Sequence, residues 1–179
     1  MADFEEKDYK IFELFRKKWA VVAAGTEDKF NACTVSWGSL GTIWTRPGKT
    51  GSIVTVYLYP TRYTNEILRD SDNFTVSFFP AEYRKSLAIL GTRSGRDSDK
   101  IAESGLTPVP AGNSISFKEA ELTFVCRKVY QHQLTKEDIA PDVQEYYAND
   151  PKAYPVDENR EWHPHWIFVG EITDVMDHR

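Results

Sequence analysis

The sequence predicts a mainly β protein, a closed or nearly closed antiparallel barrel with a few short peripheral helices. Two observations carry that expectation. At least six β-like runs occur along the chain, and the helical stretches between them are short and irregularly placed, unlike the regular alternation of a doubly wound parallel sheet. The chain has 179 residues, 41% hydrophobic and 13% aromatic, enough for one well-buried core and too few for two ordinary domains. Residues 1–179 therefore read as a single domain.

Ile11, Phe12, Leu14, Phe15 and Trp19 recur at helical spacing before any Gly or Pro, which predicts a first helix. Residues 19–25 are a buried strand closed by a polar turn at 25–29. Residues 31–38 alternate small polar with apolar residues, and residues 51–59 are dense in Val, Ile, Thr and Tyr, so both are strands. Pro60 ends the second, since it cannot donate to a ladder, and a short helix over 65–70 follows with Thr61 or Thr64 as its cap. Residues 73–79 form a strand stopped by Pro80. Residues 82–90 are a helix with Gly91 in the left-handed position after its end. A brief helix starts at Asp97 or Ser98 and stops at Gly105. Residues 117–130 and 166–175 are long strands. Between them, residues 135–163 are acidic and interrupted by Pro141, Pro151 and Pro155, and read as a surface excursion, either a flap or a dimer arm. Tyr146, Tyr147, Tyr154 and Trp162 give it enough apolar surface to dock.

The net charge of −5 argues against non-specific nucleic-acid binding, which needs a clustered basic face to displace counterions. No apolar run is long enough to span a bilayer, and Met1-Ala2-Asp3-Phe4 does not resemble a secretory leader. The expectation is a cytoplasmic protein with Cys33 and Cys126 reduced and buried. His163 and His165 flank Pro164 with no third clustered ligand, so no metal site is expected. There is no G-x-S-x-G elbow, no P-loop and no G-x-G-x-x-G.

Three constellations remain. Thr61-Arg62-Tyr63-Thr64 lies at a strand-to-helix junction, where unpaired N–H groups, hydroxyls and a guanidinium fork can meet a phosphate; read alone it is more often an ordinary cap beside a solvated arginine. Thr34, Ser36, Trp37 and Gly38 follow, with alternation putting the two hydroxyls on one strand face, either toward a pocket or toward water. The loop 94–100 sets Ser94, Arg96 and Lys100 around Gly95, as an anion contact or as a helix connector with local ion pairing. Trp37, Trp44, Tyr57, Tyr59, Tyr63 and Trp166 default to core or interface, although one or two could flank a planar ring.

Five ordered blocks carry a family resemblance: Asn31-Ala32-Cys33-Thr34-Val35-Ser36-Trp37-Gly38, Trp44-Thr45-Arg46-Pro47, Pro60-Thr61-Arg62-Tyr63-Thr64, the 94–100 loop with Gly105-Leu106-Thr107-Pro108, and Phe168-Val169-Gly170-Glu171-Ile172. In this order they resemble flavin reductase-like proteins of the FMN-binding split barrel superfamily, over nearly the whole chain and least over 135–160. The resemblance implies an antiparallel, Greek-key-like split β-barrel and a homodimer with FMN at or near the subunit interface. It also implies reduction of the flavin by NADH or NADPH, with electrons passed on to a small-molecule acceptor. It carries Thr34, Ser36, Trp37, Arg62, Thr64 and Ser94 over as cofactor contacts, with Gly38, Tyr57, Arg96, Lys100 and His165 added. No catalytic side chain is expected, because the chemistry belongs to the cofactor. A non-enzymatic FMN-binding electron carrier or flavin store would share the same ligands.

Overall fold

A run of apolar residues with no polar alternation, Ala20-Val21-Val22-Ala23-Ala24, forms the centre of the molecule because both its faces are covered. The computed structural model describes residues 4–150, 154 and 156–179. Met1 to Asp3, Pro151 and Pro155 lie outside them, as do the expectations that touch those residues. Strand β1 (Ala20–Thr26) pairs with β2 (Lys29–Val35). After them come β3 (Gly38–Thr42), β4 (Ser52–Leu58), helix α1 (Tyr63–Asp70), β5 (Asn73–Phe78), α2 (Arg84–Thr92) and α3 (Lys100–Ser104). The remainder is β6 (Pro108–Ala111), β7 (Ser114–Phe117), β8 (Leu122–Gln133), α4 (Pro141–Ala148) and β9 (Trp166–Asp177).

Seven strands make one antiparallel sheet in the order β2-β1-β5-β8-β9-β4-β3. Its two edge strands, β2 and β3, are joined by only Ser36 and Trp37, so the sheet must curl until its edges approach. Breaks in register at Val125/Cys126 and Lys128/Tyr130 let the long β8–β9 pair bend. The result is a barrel open along one seam, a split barrel.

Alternation along β1 divides the core. Val22 and Ala24 face the barrel interior with Val54, Val56, Phe74, Val76, Phe78, Phe124 and Phe168. Val21 and Ala23 face outward beneath Phe79, Leu87, Leu90, Leu106 and Phe117, which belong to α2, the β6–β7 hairpin and their flanks. Hydroxyls of Ser77, Ser116 and Thr123 satisfy one another at 2.9–3.1 Å where that hairpin meets the sheet. Cys33 and Cys126 are free and buried. Among the described residues no helix is long and apolar enough to cross a membrane.

The structure corrects several sequence expectations. The strand expected over 31–38 stops at Val35, so Ser36 does not share an alternating face with Thr34. Strand β3 reads Gly-Ser-Leu-Gly-Thr, too polar to announce itself, and exists because β4 offers it a ladder. The run expected over 117–130 is two strands. The turn between them is made by backbone bonds, Ala120 N to the Phe117 carbonyl at 3.1 Å and Glu121 N to the Phe78 carbonyl at 2.9 Å, with no Gly or Pro to mark it. Neither Thr61 nor Thr64 caps α1: Arg62 holds the cap position and no side chain bonds there. Gly91 lies inside α2, whose end is satisfied by Arg93 N on the Ile89 carbonyl. The α3 cap is Asp99, which accepts from Ala102 N, and Gly105 closes the helix at φ 70 as expected.

Glu171 on β9 is buried, paired across the ladder with Ile53 of β4 and Arg127 of β8. Arg127 from β8 donates to it at 2.9 and 3.2 Å. Arg46 from the β3–β4 loop stands 2.8 Å from its other oxygen, at ion-pair distance but not aligned as a hydrogen bond. Burial pushes its carboxyl pKa up, but Arg127 and Arg46 outweigh burial and hold it below the usual value. A carboxyl lowered on folding stabilises the native state above its ordinary pKa of 4.5 and loses that contribution as pH falls through the lower native value. Glu171→Gln should therefore cost roughly 1–2 kcal/mol at neutral pH. The difference from the parent should shrink below pH 4.5 in urea melts; a pH-independent difference would assign the loss to packing.

Candidate functional site

The seam opens into a cleft of about 480 Å³ lined by Cys33, Thr34 and Val35 at the end of β2, Ser36 and Trp37 at the crossing, and Tyr57, Leu58 and Tyr59 at the end of β4. Thr61, Arg62, His165 and three tyrosines of the 135–163 segment, Tyr146, Tyr147 and Tyr154, complete it. β2, the crossing and β4 meet here because the backbone of Tyr57 donates to the Trp37 carbonyl at 3.4 Å, tying the crossing to the next strand.

One wall is an anion cradle. Arg62 sits at the start of α1, which has no side-chain cap. Among the described residues its guanidinium has neither an ion-pair nor a hydrogen-bond partner. Its charge is felt by its neighbours, since burial first and Arg62 second push the His165 pKa down to about 4. Burial also lowers that of Lys100, the Cys33 thiol raises it and Arg62 lowers it further. A half-buried cation at a helix start that has no side-chain cap favours an incoming anion. Thr34 Oγ1 donates to the Leu87 carbonyl at 2.6 Å and keeps its lone pairs for a further donor.

Much of the remaining lining is aromatic. The His165 ring lies 4.6 Å from that of Trp37, tilted by 35°. Its Nδ1 is 2.5 Å from the Tyr154 hydroxyl, and its carbonyl accepts from Leu134 N at 3.0 Å. Tyr154 is buried against Tyr59, Tyr147 and Trp162 at centroid distances of 5.3, 4.2 and 5.3 Å. The segment expected as a surface excursion thus packs onto the barrel and supplies a wall of the cleft. Helix α4 begins at Pro141, a position where no backbone N–H is needed. His163 pairs instead with Asp157 at 2.9 Å, so the two histidines point to different partners.

The structure brings Thr34, Ser36, Trp37, Tyr57, Arg62 and His165 into this one cleft. Lys100 and Arg96 line a neighbouring hollow of about 360 Å³ with Asn31 and Tyr63. Thr64 is buried between the two, accepting from Asn31 Nδ2 at 3.2 Å. Lys100 is buried with its Nζ on the Leu90 carbonyl at 3.1 Å. Arg96 is engaged by Glu66 at 2.5 Å and the Thr61 carbonyl at 3.1 Å, and the Ser94 hydroxyl accepts from Arg96 N at 3.2 Å. Gly38 turns toward Phe15: a Cβ there would stand 2.3 Å from that ring and 2.7 Å from the Thr55 carbonyl, so glycine allows the crossing to lie against the barrel. Tyr146, Tyr147 and Tyr154 were not among the candidate site residues. Their only signal was the density of tyrosine in an otherwise acidic stretch.

The family model of the flavin reductase like domain matches residues 12–179, and the chain belongs to that family. Similar solved structures include an FMN-binding protein from Thermus thermophilus with bound 1-cyclohex-2-enone. That likeness has a TM-score of 0.63 at 19% identity, covering 89% of this chain and 70% of that one. Flavoredoxin from Methanosarcina acetivorans gives a TM-score of 0.61 at 20% identity, with 89% and 68% covered. Flavoredoxin of Desulfovibrio vulgaris (Miyazaki F) gives 0.60 at 22%, again with 89% and 68% covered. At these identities the likeness is one of fold, a flavin reductase-like split barrel. No curated protein matches the chain.

Proposed function

We propose that the chain is an FMN-binding oxidoreductase in which NADH or NADPH reduces the flavin for a small-molecule acceptor. One observation carries the reading: Arg62, without a partner among the described residues, lines the same cleft as the rings of Trp37, Tyr57 and His165. A phosphate at one end and a flat ring at the other is the shape of a flavin mononucleotide. Arg62, the helix-start amides, Thr34 and Ser36 would hold the phosphate and ribityl hydroxyls, with Trp37, Tyr57 and His165 beside the ring. Bound FMN would accept hydride from the nicotinamide; the protein's part is to orient the two rings and keep water out. Two of the similar structures are flavoredoxins and a third is named an FMN-binding protein, which supports the cofactor. Lys100 and Arg96, in the adjacent hollow, are within the same electrostatic neighbourhood and would act on the phosphate at longer range.

The test is the absorbance spectrum of the purified protein, followed by release and identification of any flavin and by steady-state oxidation of NADH and NADPH. A flavin spectrum with turnover of either nucleotide is expected. Tight FMN with no turnover would leave an electron carrier, and no affinity for FMN would overturn the reading.

Assembly belongs to the same proposal. Ile43, Trp44 and Tyr130 expose large apolar surface together, with the last two rings 6.1 Å apart, and Phe12 is 89% exposed. Contiguous surface of this kind favours a second subunit. Light scattering should give a dimer mass. A stable monomer that binds FMN with full affinity would defeat it.

A further inference from the structure

We propose that Tyr154 is a positioning residue that holds His165 as the Nε2–H tautomer, so that the cleft presents one neutral N–H donor beside Trp37 to a ring carbonyl oxygen. The inference rests on the flavin reading only for what the donor meets; the tautomer itself belongs to this chain alone.

The hydrogen bond between the Tyr154 hydroxyl and His165 Nδ1 is 2.5 Å long, and its direction follows from supply and demand. A buried tyrosine hydroxyl needs an acceptor for its proton. Among the described residues Nδ1 is the one acceptor Tyr154 reaches. Burial raises the Tyr154 pKa, so the phenol keeps its proton. Burial and Arg62 keep the imidazole neutral at pH 7. A neutral imidazole that accepts at Nδ1 carries its proton on Nε2.

Neither ring is free to turn. Tyr154 is wedged between Tyr59, Tyr147 and Trp162, and His165 lies against Trp37 and edge-on to Tyr59 at 5.3 Å. Nε2 has no partner among the described residues and its ring lines the cleft. A neutral donor suits a neutral carbonyl better than an anion, which Arg62 in the same cleft already serves. The carbonyl could belong to the flavin ring or to a second ligand stacked on it, such as a nicotinamide carboxamide or a conjugated ketone.

The tautomer is read directly by long-range ¹H–¹⁵N correlation of the histidine side chains in flavin-free protein. The native chain should show His165 protonated at Nε2 and bare at Nδ1. Tyr154→Phe, which keeps the ring, should lose that single signature and show exchange between tautomers. A bare Nε2 in the native protein, or an unchanged signature in Tyr154→Phe, would overturn the proposal whatever the protein binds. Ligand binding separates the two sources of carbonyl. If the flavin is the acceptor, Tyr154→Phe should weaken FMN about 3- to 10-fold and shift the bound flavin spectrum. If a second ligand is the acceptor, FMN affinity should hold while nicotinamide or cyclohexenone binding to FMN-loaded protein falls by the same factor. His165→Gln, whose amide NH₂ reaches the Nε2 position, should keep binding better than His165→Asn, whose amide reaches only Nδ1. Equal losses in both would remove the donor role. Failure to bind FMN in the native chain would sink the functional reading and leave the tautomer standing.

Discussion

Replacing Arg62 by alanine is expected to weaken FMN binding by about 1.5–3 kcal/mol, the usual worth of hydrogen bonds to a charged group. The size of the effect follows from the cradle: with no carboxylate paired to it among the described residues, Arg62 gives up no internal ion pair when an anion arrives. The same isolation means that the alanine variant should fold normally. Arg62→Lys should recover only part of the loss, because a point charge lacks the planar fork. Quenching of flavin fluorescence on titration with protein reads the affinity. A folded alanine variant that binds FMN as tightly as the parent would take Arg62 out of the site.

Phe124→Ala should destabilise the fold by about 3–5 kcal/mol, the range for emptying a phenylalanine site in a packed core. Phe124 is fully buried near the start of β8, edge-on to Tyr9 at 5.2 Å and to Phe78 at 6.4 Å. It thereby ties the N-terminal segment to β5 and β8, the strands on which the rest of the sheet hangs. The cavity left behind would be walled by strands whose register is locked on both sides, so little collapse can relieve it. Urea unfolding followed by circular dichroism measures the change. A loss under about 1 kcal/mol would mean that the interior repacks and that the barrel is softer than its close packing implies.

Legibility in the sequence followed the physics of each element. Residues buried on both faces, such as Val21 and Val22, advertise a strand by composition alone, and Pro60 and Pro80 follow strand ends because proline cannot donate to a ladder. Arg62 stood out because a guanidinium beside a strand-to-helix junction is recognisable locally. Strand β3 and the β6–β7 hairpin were not legible, since Gly38 to Thr42 has no apolar alternation and β6 holds two prolines. Their conformation comes from a partner strand and from the hydroxyl triangle beneath the hairpin, both distant in sequence.

The amino-acid sequence by itself determined the mainly β fold class and where most of the strands lie, and it set Thr34, Ser36, Trp37 and Arg62 apart by their hydroxyls, ring and guanidinium. Those properties depend on burial pattern and local donor geometry, which act over a few residues. Only the tertiary structure decided which candidates meet. It curled the sheet so that the ends of β2 and β4 and the start of β9 meet around one cleft, set Lys100 and Arg96 in a second hollow, and brought Tyr154 against His165. The physical reason is that closure of a sheet is a long-range event. Whether a side chain reaches the seam depends on how many strands separate it from the edges, on the bulges that bend β8, and on an acidic segment docking through its tyrosines, and no local pattern encodes those distances.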